Sequence, residues 1–284
     1  MKIPGYVRIC AFLLAALVVI FLGNTGKANA AGPTPLNQKN LDKISKIRCD
    51  ESRPLRFVVL GDSRSNPSKF KEIIDLANSL KPDFVIHTGD VVENGDKPEY
   101  DKLRPLFNRF NEPFLVIPGN HEINKVTKNL QNYISFFGKT GMLFDLCGVR
   151  FILLDNSKGY LTDEQLIRLK TDLKTDNVRM IFMHAPPATI WPEHTFKRNA
   201  KGLVDLIKQS GCEYAFFSHV HGYDHRMIGD KCNGYISGGA GAELSGYGFA
   251  QEKYHVLLVT VDGKKVNVKM VPLKEKPEST GKIK

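Results

Sequence analysis

The chain has 284 residues and a formal net charge of +10, long enough for one large domain with a sizeable core. Its positive residues are spread through "KNLDKISKIR", "FKRNAK" and "KEKPESTGKIK" rather than gathered into one run with interleaved aromatics. That argues against a dedicated nucleic-acid groove and for anionic substrates or surfaces. None of the five cysteines has C-x-x-C spacing, which argues against a redox or zinc-ribbon motif.

Residues 1–30 combine a basic start (Lys2, Arg8), an apolar run from Ile9 to Leu22 and the small-residue ending Ala28, Asn29, Ala30. This pattern predicts a signal peptide cut before Ala31, with an uncleaved anchor as the alternative. Export to the periplasm, the cell surface or the medium follows. Removing Lys2, Arg8 and Lys27 takes the charge from +10 to +7. Residues 31–50 read as a linker, 51–273 as the folded domain and 274–284 as a flexible basic tail. Cys49, Cys147, Cys212 and Cys232 remain, and four cysteines in an exported chain suggest two disulfides in one of three connectivities. Cys212 with Cys232 is favoured because it would close a loop around "FFSHVHGYDH" and contribute about 3 kcal/mol, which leaves Cys49 with Cys147.

Apolar, β-branched runs predict strands at 55–60, 83–88, 113–117, 142–147, 149–155, 178–184, 213–218, 233–237, 254–261 and 265–271. Helices are expected over "PSKFKEIIDLANSL", "KPEYDKLRPLFNRF", "VTKNLQNYISFFG", "TDEQLIRLKTDL" from the cap Thr162, and "NAKGLVDLIKQSG" to its end at Gly211. Two hairpins are expected, around Gly148 and around "DGK". Strand–helix alternation in the first half favours a largely parallel sheet, and the hairpin-rich second half a mixed sheet packed against it. The expected fold is an α/β, four-layer sandwich of two mixed β-sheets flanked by helices.

In open α/β sheets ligands bind outside the carboxyl ends of the strands. Polar clusters stand there: Asp62 and Arg64 in "GDSR", Asp90 in "GDVVENG", Asn120, His121 and Glu122 in "GNHE", His184 in "MHAPP", His219 and His221 in "SHVH". Two carboxylates, an amide oxygen and several imidazoles suit paired divalent ions, with Asp90 able to bridge. His87, His194, His225 and His255 read instead as ordinary core or surface histidines. "SGGAGAEL" does not satisfy G-x-G-x-x-G, so a dinucleotide site is not expected. The loop "APPATIWPEHTF", with the only tryptophan, is either a wall of the pocket that sets leaving-group preference or surface packing.

The ordered series "GDSR", "GDVVENG", "GNHE", "MHAPP" and "SHVH" resembles the calcineurin-like metallophosphoesterase superfamily, which includes purple acid phosphatases. The resemblance implies a hydrolase of phosphate mono- or diesters that uses a metal-activated hydroxide. It implies two divalent ions, manganese, iron or zinc. Asp62 and His221 would hold one, Asp90 would bridge, Asn120, His184 and His219 would hold the other, and His121 would be the acid at the leaving group. Glu122 could orient His121 or be an exposed loop acid. "SGGAGAEL" resembles the glycine-rich segment near the end of purple-acid-phosphatase-like domains, which implies close backbone packing.

Two positions depart from the family pattern. Arg64 stands where a histidine is common, and a guanidinium has no lone pair for a metal. The Asp62 ion should therefore be weak, with Arg64 gripping a phosphate oxygen of the substrate or pairing with a neighbouring carboxylate. Ser218 replaces a glycine. The alternative from another class is a non-catalytic binder of phosphorylated or polyanionic envelope components that keeps a partial metal site.

Overall fold

The computed structural model describes residues 34–50 and 52–274; the leader and all but the first residue of the basic tail lie outside the described residues. A five-stranded sheet has the order β11-β10-β1-β2-β3 and a six-stranded sheet the order β4-β5-β6-β7-β9-β8. The strands of the first are β1 (Leu55–Leu60), β2 (Phe84–His87), β3 (Phe114–Val116), β10 (His255–Asp262) and β11 (Lys265–Pro272). Those of the second are β4 (Met142–Leu146), β5 (Val149–Leu153), β6 (Val178–Phe182), β7 (Tyr214–Phe217), β8 (Tyr223–Ile228) and β9 (Cys232–Ser237). Both sheets are mixed: β1, β2 and β3 run parallel, as do β5, β6, β7 and β9, while β10, β11, β4 and β8 are antiparallel additions.

The period-2 pattern of the strands builds three apolar layers. Phe57 and Val59 of β1, Phe84 and Ile86 of β2, and Val178, Met180 and Phe182 of β6 face inward and fill the space between the sheets. The alternate residues Val58, Leu60 and Val85 pack under helices α2 (Pro67–Ser79), α3 (Lys97–Phe107) and α4 (Gln131–Phe136). Ile181, Ala215 and Phe217 pack under α5 (Asp163–Asp172) and α6 (Ala200–Ser210). The four-layer sandwich expected from the sequence is therefore the fold. Thr162 caps α5 through a capping box with Gln165, and Gly211 ends α6 in the left-handed region at φ 67°.

Three expectations are corrected. Residues read as a linker contain helix α1 (Leu36–Ile44), whose Asn37 amide donates to the Val116 carbonyl and accepts from its N–H, while Asn40 donates to the Phe114 carbonyl. Two amides one turn apart thus cover the open edge of β3, a task that leaves no apolar signature. The β10–β11 hairpin joins the first sheet rather than the second, because β10 pairs along β1 from Leu55↔Val261 to Val59↔Leu257. Cys212 and Cys232 are free and buried. The Cys212 thiol points to the carbonyls of Arg179 and Tyr214, and both cysteines pack as small apolar groups in the layer beneath α6. Cys212 hydrogen bonding, then burial, pushes the Cys232 thiol far up.

The disulfide that does form joins Cys49 to Cys147 across a sequence separation of 98. It ties the segment before β1 to the β4–β5 turn of the other sheet. Replacing both cysteines by alanine is expected to lower unfolding stability by about 2–5 kcal/mol, measured by denaturant melts with and without reductant. A loss under about 1 kcal/mol would show that the link does not constrain the unfolded chain.

Candidate metal centre

The carboxyl ends of β1, β2 and β3 meet those of β6 and β7, and every strand-end residue singled out in the sequence lies in that junction. Backbone bonds lace the turns together: Asp62 N–H donates to Gly89 O at 3.0 Å, Ser63 N–H to Asp90 O at 3.0 Å and Ser218 N–H to His184 O at 2.8 Å. Asp62, Asp90 and His219 all adopt left-handed φ values, 59°, 60° and 72°. Such non-glycine residues cost on the order of 1–3 kcal/mol each and collect at functional sites. The cost is borne by the surrounding lattice, which turns three side chains into one space.

His184 is the centre of that space. Its Nδ1 lies 2.9 Å from the Thr88 carbonyl, which can only accept, so Nδ1 carries a proton and, in the neutral imidazole, Nε2 presents a lone pair. Facing Nε2 are Asn120 Oδ1 at 3.0 Å, His219 Nδ1 at 3.1 Å and Asp90 Oδ1 at 3.3 Å. Asp90, His184 and His219 meet the spacing of a cation site among the described residues. These four atoms can converge only around a shared positive charge, a proton on His184 or a metal cation, and an N₂O₂ set without thiolate suits manganese, iron or zinc.

A second, poorer set adjoins it. The fully buried Asp62 Oδ1 has no hydrogen-bond partner, and His221 Nε2 lies 3.9 Å from it. His221 Nδ1 donates to the Glu243 carbonyl at 2.6 Å, which leaves Nε2 free as a ligand. Asp62 Oδ2 accepts from the His219 N–H at 2.7 Å. Asp90, Asn120, His184 and His219 therefore fit one cation, and Asp62 and His221 offer further ligand atoms beside it.

The charges show the same deficit. Burial drives the Asp62 carboxyl well above its ordinary pKa, with Asp90 adding to the rise. Burial also opposes a charged His184, but Asp90 and Asp62 outweigh it and lift that imidazole to about 9. His219 goes the other way, down to about 3, through burial and the neighbouring His184. Without a cation the protein thus holds a proton in the centre; each of these groups is a metal ligand in its deprotonated form.

Arg64 reaches into the cluster from the β1 turn. Its Nη1 pairs with Glu93 Oε2 at 2.6 Å and its Nε lies 3.6 Å from Asp90 Oδ2. Of the two roles the sequence leaves open, the carboxylate pairing is the one on view. His121 stands beside it, with Nδ1 against the Glu93 carbonyl at 2.7 Å and Nε2 3.9 Å from Asp90 Oδ2. Glu93, within the quoted "GDVVENG", is thus a contact of both, and sequence reasoning did not single it out.

Glu122 neither orients the His121 ring nor lies exposed. Fully buried, it accepts the backbone N–H groups of Asp90, Val91, Val92 and Gly119. One carboxylate thereby clamps the Asp90 turn to the Asn120 turn. Gly119 is required for this approach, since a Cβ there would strike Asp90 Oδ1 and come within 2.7 Å of the His184 ring. Gly238 of "SGGAGAEL" lies against the Val220 carbonyl and would place a Cβ 2.5 Å from Asp62 Oδ2, so the expected close packing is present. Ser218 donates to the Thr88 carbonyl at 2.8 Å and so braces the acceptor that orients His184. His87 is a buried support that touches Ser63 Oγ at 2.9 Å, and His255 is likewise buried.

The family model described as calcineurin-like phosphoesterase matches residues 55–223. The chain belongs to this family. Among curated proteins, the chain is 33% identical over 141 residues to a protein of Arcobacter nitrofigilis named probable glycerophosphodiester phosphodiesterase GpdQ, covering 45% of this chain and 52% of that one. It is 25% identical over 200 residues to the 3′,5′-cyclic-nucleotide phosphodiesterase alr5338 of Nostoc sp., covering 66% and 74%. The chain spans about half the length of the GpdQ relatives it matches. Its fold superposes on purple acid phosphatase PPD1 from yellow lupin with a TM-score of 0.65 at 14% identity, over 77% of this chain and 51% of the other. That likeness is one of fold.

Glu122→Gln puts an amide donor among four backbone donors. The substitution is expected to weaken divalent-ion binding about 10–100-fold, read by calorimetric titration with manganese or zinc. Unchanged affinity would show that the two turns hold their ligands without the clamp.

Proposed function

We propose that this protein is an exported, metal-dependent phosphoric ester hydrolase that acts on phosphodiesters or phosphomonoesters. The observation that carries the reading is the convergence of Asn120 Oδ1, His219 Nδ1 and Asp90 Oδ1 on His184 Nε2 within 3.0 to 3.3 Å. The names of the curated relatives, glycerophosphodiester and cyclic-nucleotide phosphodiesterases, favour diesters. The N-terminal charge and apolar pattern supports export.

Divalent cations, when bound, supply a water of lowered pKa and neutralise charge on the phosphoryl oxygens. The chain's own residues do the rest. Asp62, Asp90, Asn120, His184, His219 and His221 would hold the cations. The phosphate must lie over the open edge of the cluster, where Asn120 is exposed and Arg64 and His121 are half-buried. Arg64 exchanges Glu93 for a phosphate oxygen and binds it with its planar fork. His121, its Nδ1 fixed on the Glu93 carbonyl, delivers a proton from Nε2 to the departing oxygen. The basic surface draws anionic substrates, and an anionic envelope surface, toward the site.

One observation favours a second reading. Arg64 already stands against Asp90 and Glu93, which supplies positive charge beside the Asp62 set. A chain with that pairing could hold one ion and bind phosphorylated envelope components without turning them over.

Turnover of purified protein on phosphodiester and phosphomonoester chromogens, with manganese, zinc, iron or chelator, separates the two. Asp90→Asn is expected to reduce kcat at least about 100-fold, and His121→Ala about 10²–10⁴-fold with the ions retained. No turnover with any metal, together with phosphate-ester binding, establishes the binder instead. Arg64→His is expected to raise the metal content from one tightly held ion to two, read by elemental analysis after desalting. An unchanged content would show that Arg64 does not compete with the first ion.

A further inference from the structure

His194 does not behave as an ordinary surface histidine. It lies in the loop after His184, is exposed, and stacks on Tyr247 with ring centroids 3.7 Å apart and planes inclined by 26°. The same imidazole lies 5.9 Å, centroid to centroid, from His219 of the metal cluster. The pair is therefore at the rim of the centre, one ring removed from a proposed ligand.

Each half of the pair is held in place. In the His194 loop, Trp191 is buried, its Nε1 donates to Asp224 at 2.8 Å, and the Ala188 N–H donates to the Phe196 carbonyl at 2.9 Å. Tyr247 follows a segment tied to the other ligand strand, where the Ser245 N–H donates to the His221 carbonyl at 3.0 Å. Both residues sit in the left-handed region, at φ 48° and 49°, which side-chain-bearing residues other than asparagine and aspartate rarely adopt. The fold thus holds two aromatic rings face to face at the opening of a phosphate-binding centre. The centre itself accounts for the phosphoryl group and leaves the rest of the ester without an assigned contact.

We propose that the His194–Tyr247 stack, its inner faces closed on each other at 3.7 Å, offers an outer face to a planar aromatic ring, such as a nucleobase, carried by the alcohol portion of the ester. An aromatic face recognises any such ring through stacking, independently of hydrogen-bond pattern. The platform selects aromatic-bearing esters over purely aliphatic ones such as glycerol esters. This rests on the hydrolase reading for its biological use, but binding alone tests it.

The test is calorimetric binding of adenosine 5′-monophosphate and of glycerol 3-phosphate in manganese, for wild type, His194→Asn, Tyr247→Asn and Tyr247→Phe. Asparagine tolerates a left-handed φ, so the first two variants remove a ring without disturbing the turn. Each is expected to weaken the nucleotide about tenfold, the scale of one lost base stack, and to leave glycerol phosphate within about twofold. Tyr247→Phe is expected to retain nucleotide binding. Wild type that binds the nucleotide no more tightly than glycerol phosphate, or variants that weaken both equally or neither, would overturn the platform. Parallel turnover of a nucleobase-bearing and a glycerol-based phosphodiester separates the two readings. Turnover of both with no selective rise in KM in the variants defeats the platform alone, whereas absent turnover with selective binding defeats the hydrolase alone.

Discussion

Mutual repulsion among buried acceptors is the constraint on which this structure turns. Asp62, Asp90 and Glu122 are all fully or almost fully buried within one junction, and Nε2 of His184 faces oxygen and nitrogen acceptors. Bringing such groups together opposes folding, since an unpaired buried charge costs far more than a typical hydrogen bond returns. Two packed sheets supply the opposing force. Their facing surfaces bury a continuous apolar layer, and the strain and repulsion are confined to the strand ends, where the layer stops.

Most of the polar side chains around the site bind backbone rather than substrate or metal. Glu122 joins two turns from successive strands of the first sheet. Ser218 and the Thr88 carbonyl bridge the two sheets beneath His184. Glu93 holds Arg64 with its carboxylate and His121 with its carbonyl. A small displacement of any of these would move Asp90, Asn120, His184 or His121, and functional constellations tolerate little displacement. Arg64 introduces a permanent positive charge beside Asp90 and Glu93, in a cluster whose other side chains are suited to face a cation.

Much of the fold is legible in the chain because its central strands are short apolar runs between turn residues. Phe57 and Val59 face one layer and Val58 and Leu60 another, so β1 is buried on both faces and reads as one continuous apolar run. One α-helix and one strand escaped detection. Helix α1 is short and docks through two asparagines as well as Ile44, and β8 is a partly exposed edge strand, "YDHRMI", whose polar residues read as loop. The pairing of Cys49 with Cys147 but not of Cys212 with Cys232 depends on where each thiol points, which spacing does not encode.

By itself the sequence determined the layered α/β architecture and the set of strand-end residues, because apolar runs alternating with amphipathic stretches and the chemistry of Asp, Asn and His at strand tips are local properties. Only the tertiary structure decided what those residues do to one another. That Glu122 clamps backbone, that Arg64 turns to Glu93 and Asp90, and that His194 meets Tyr247 from a segment more than fifty residues away are outcomes of distance and direction in space. Those distances arise from the strand order within each sheet, which brings turns far apart in sequence side by side, and no short stretch of the chain carries that information.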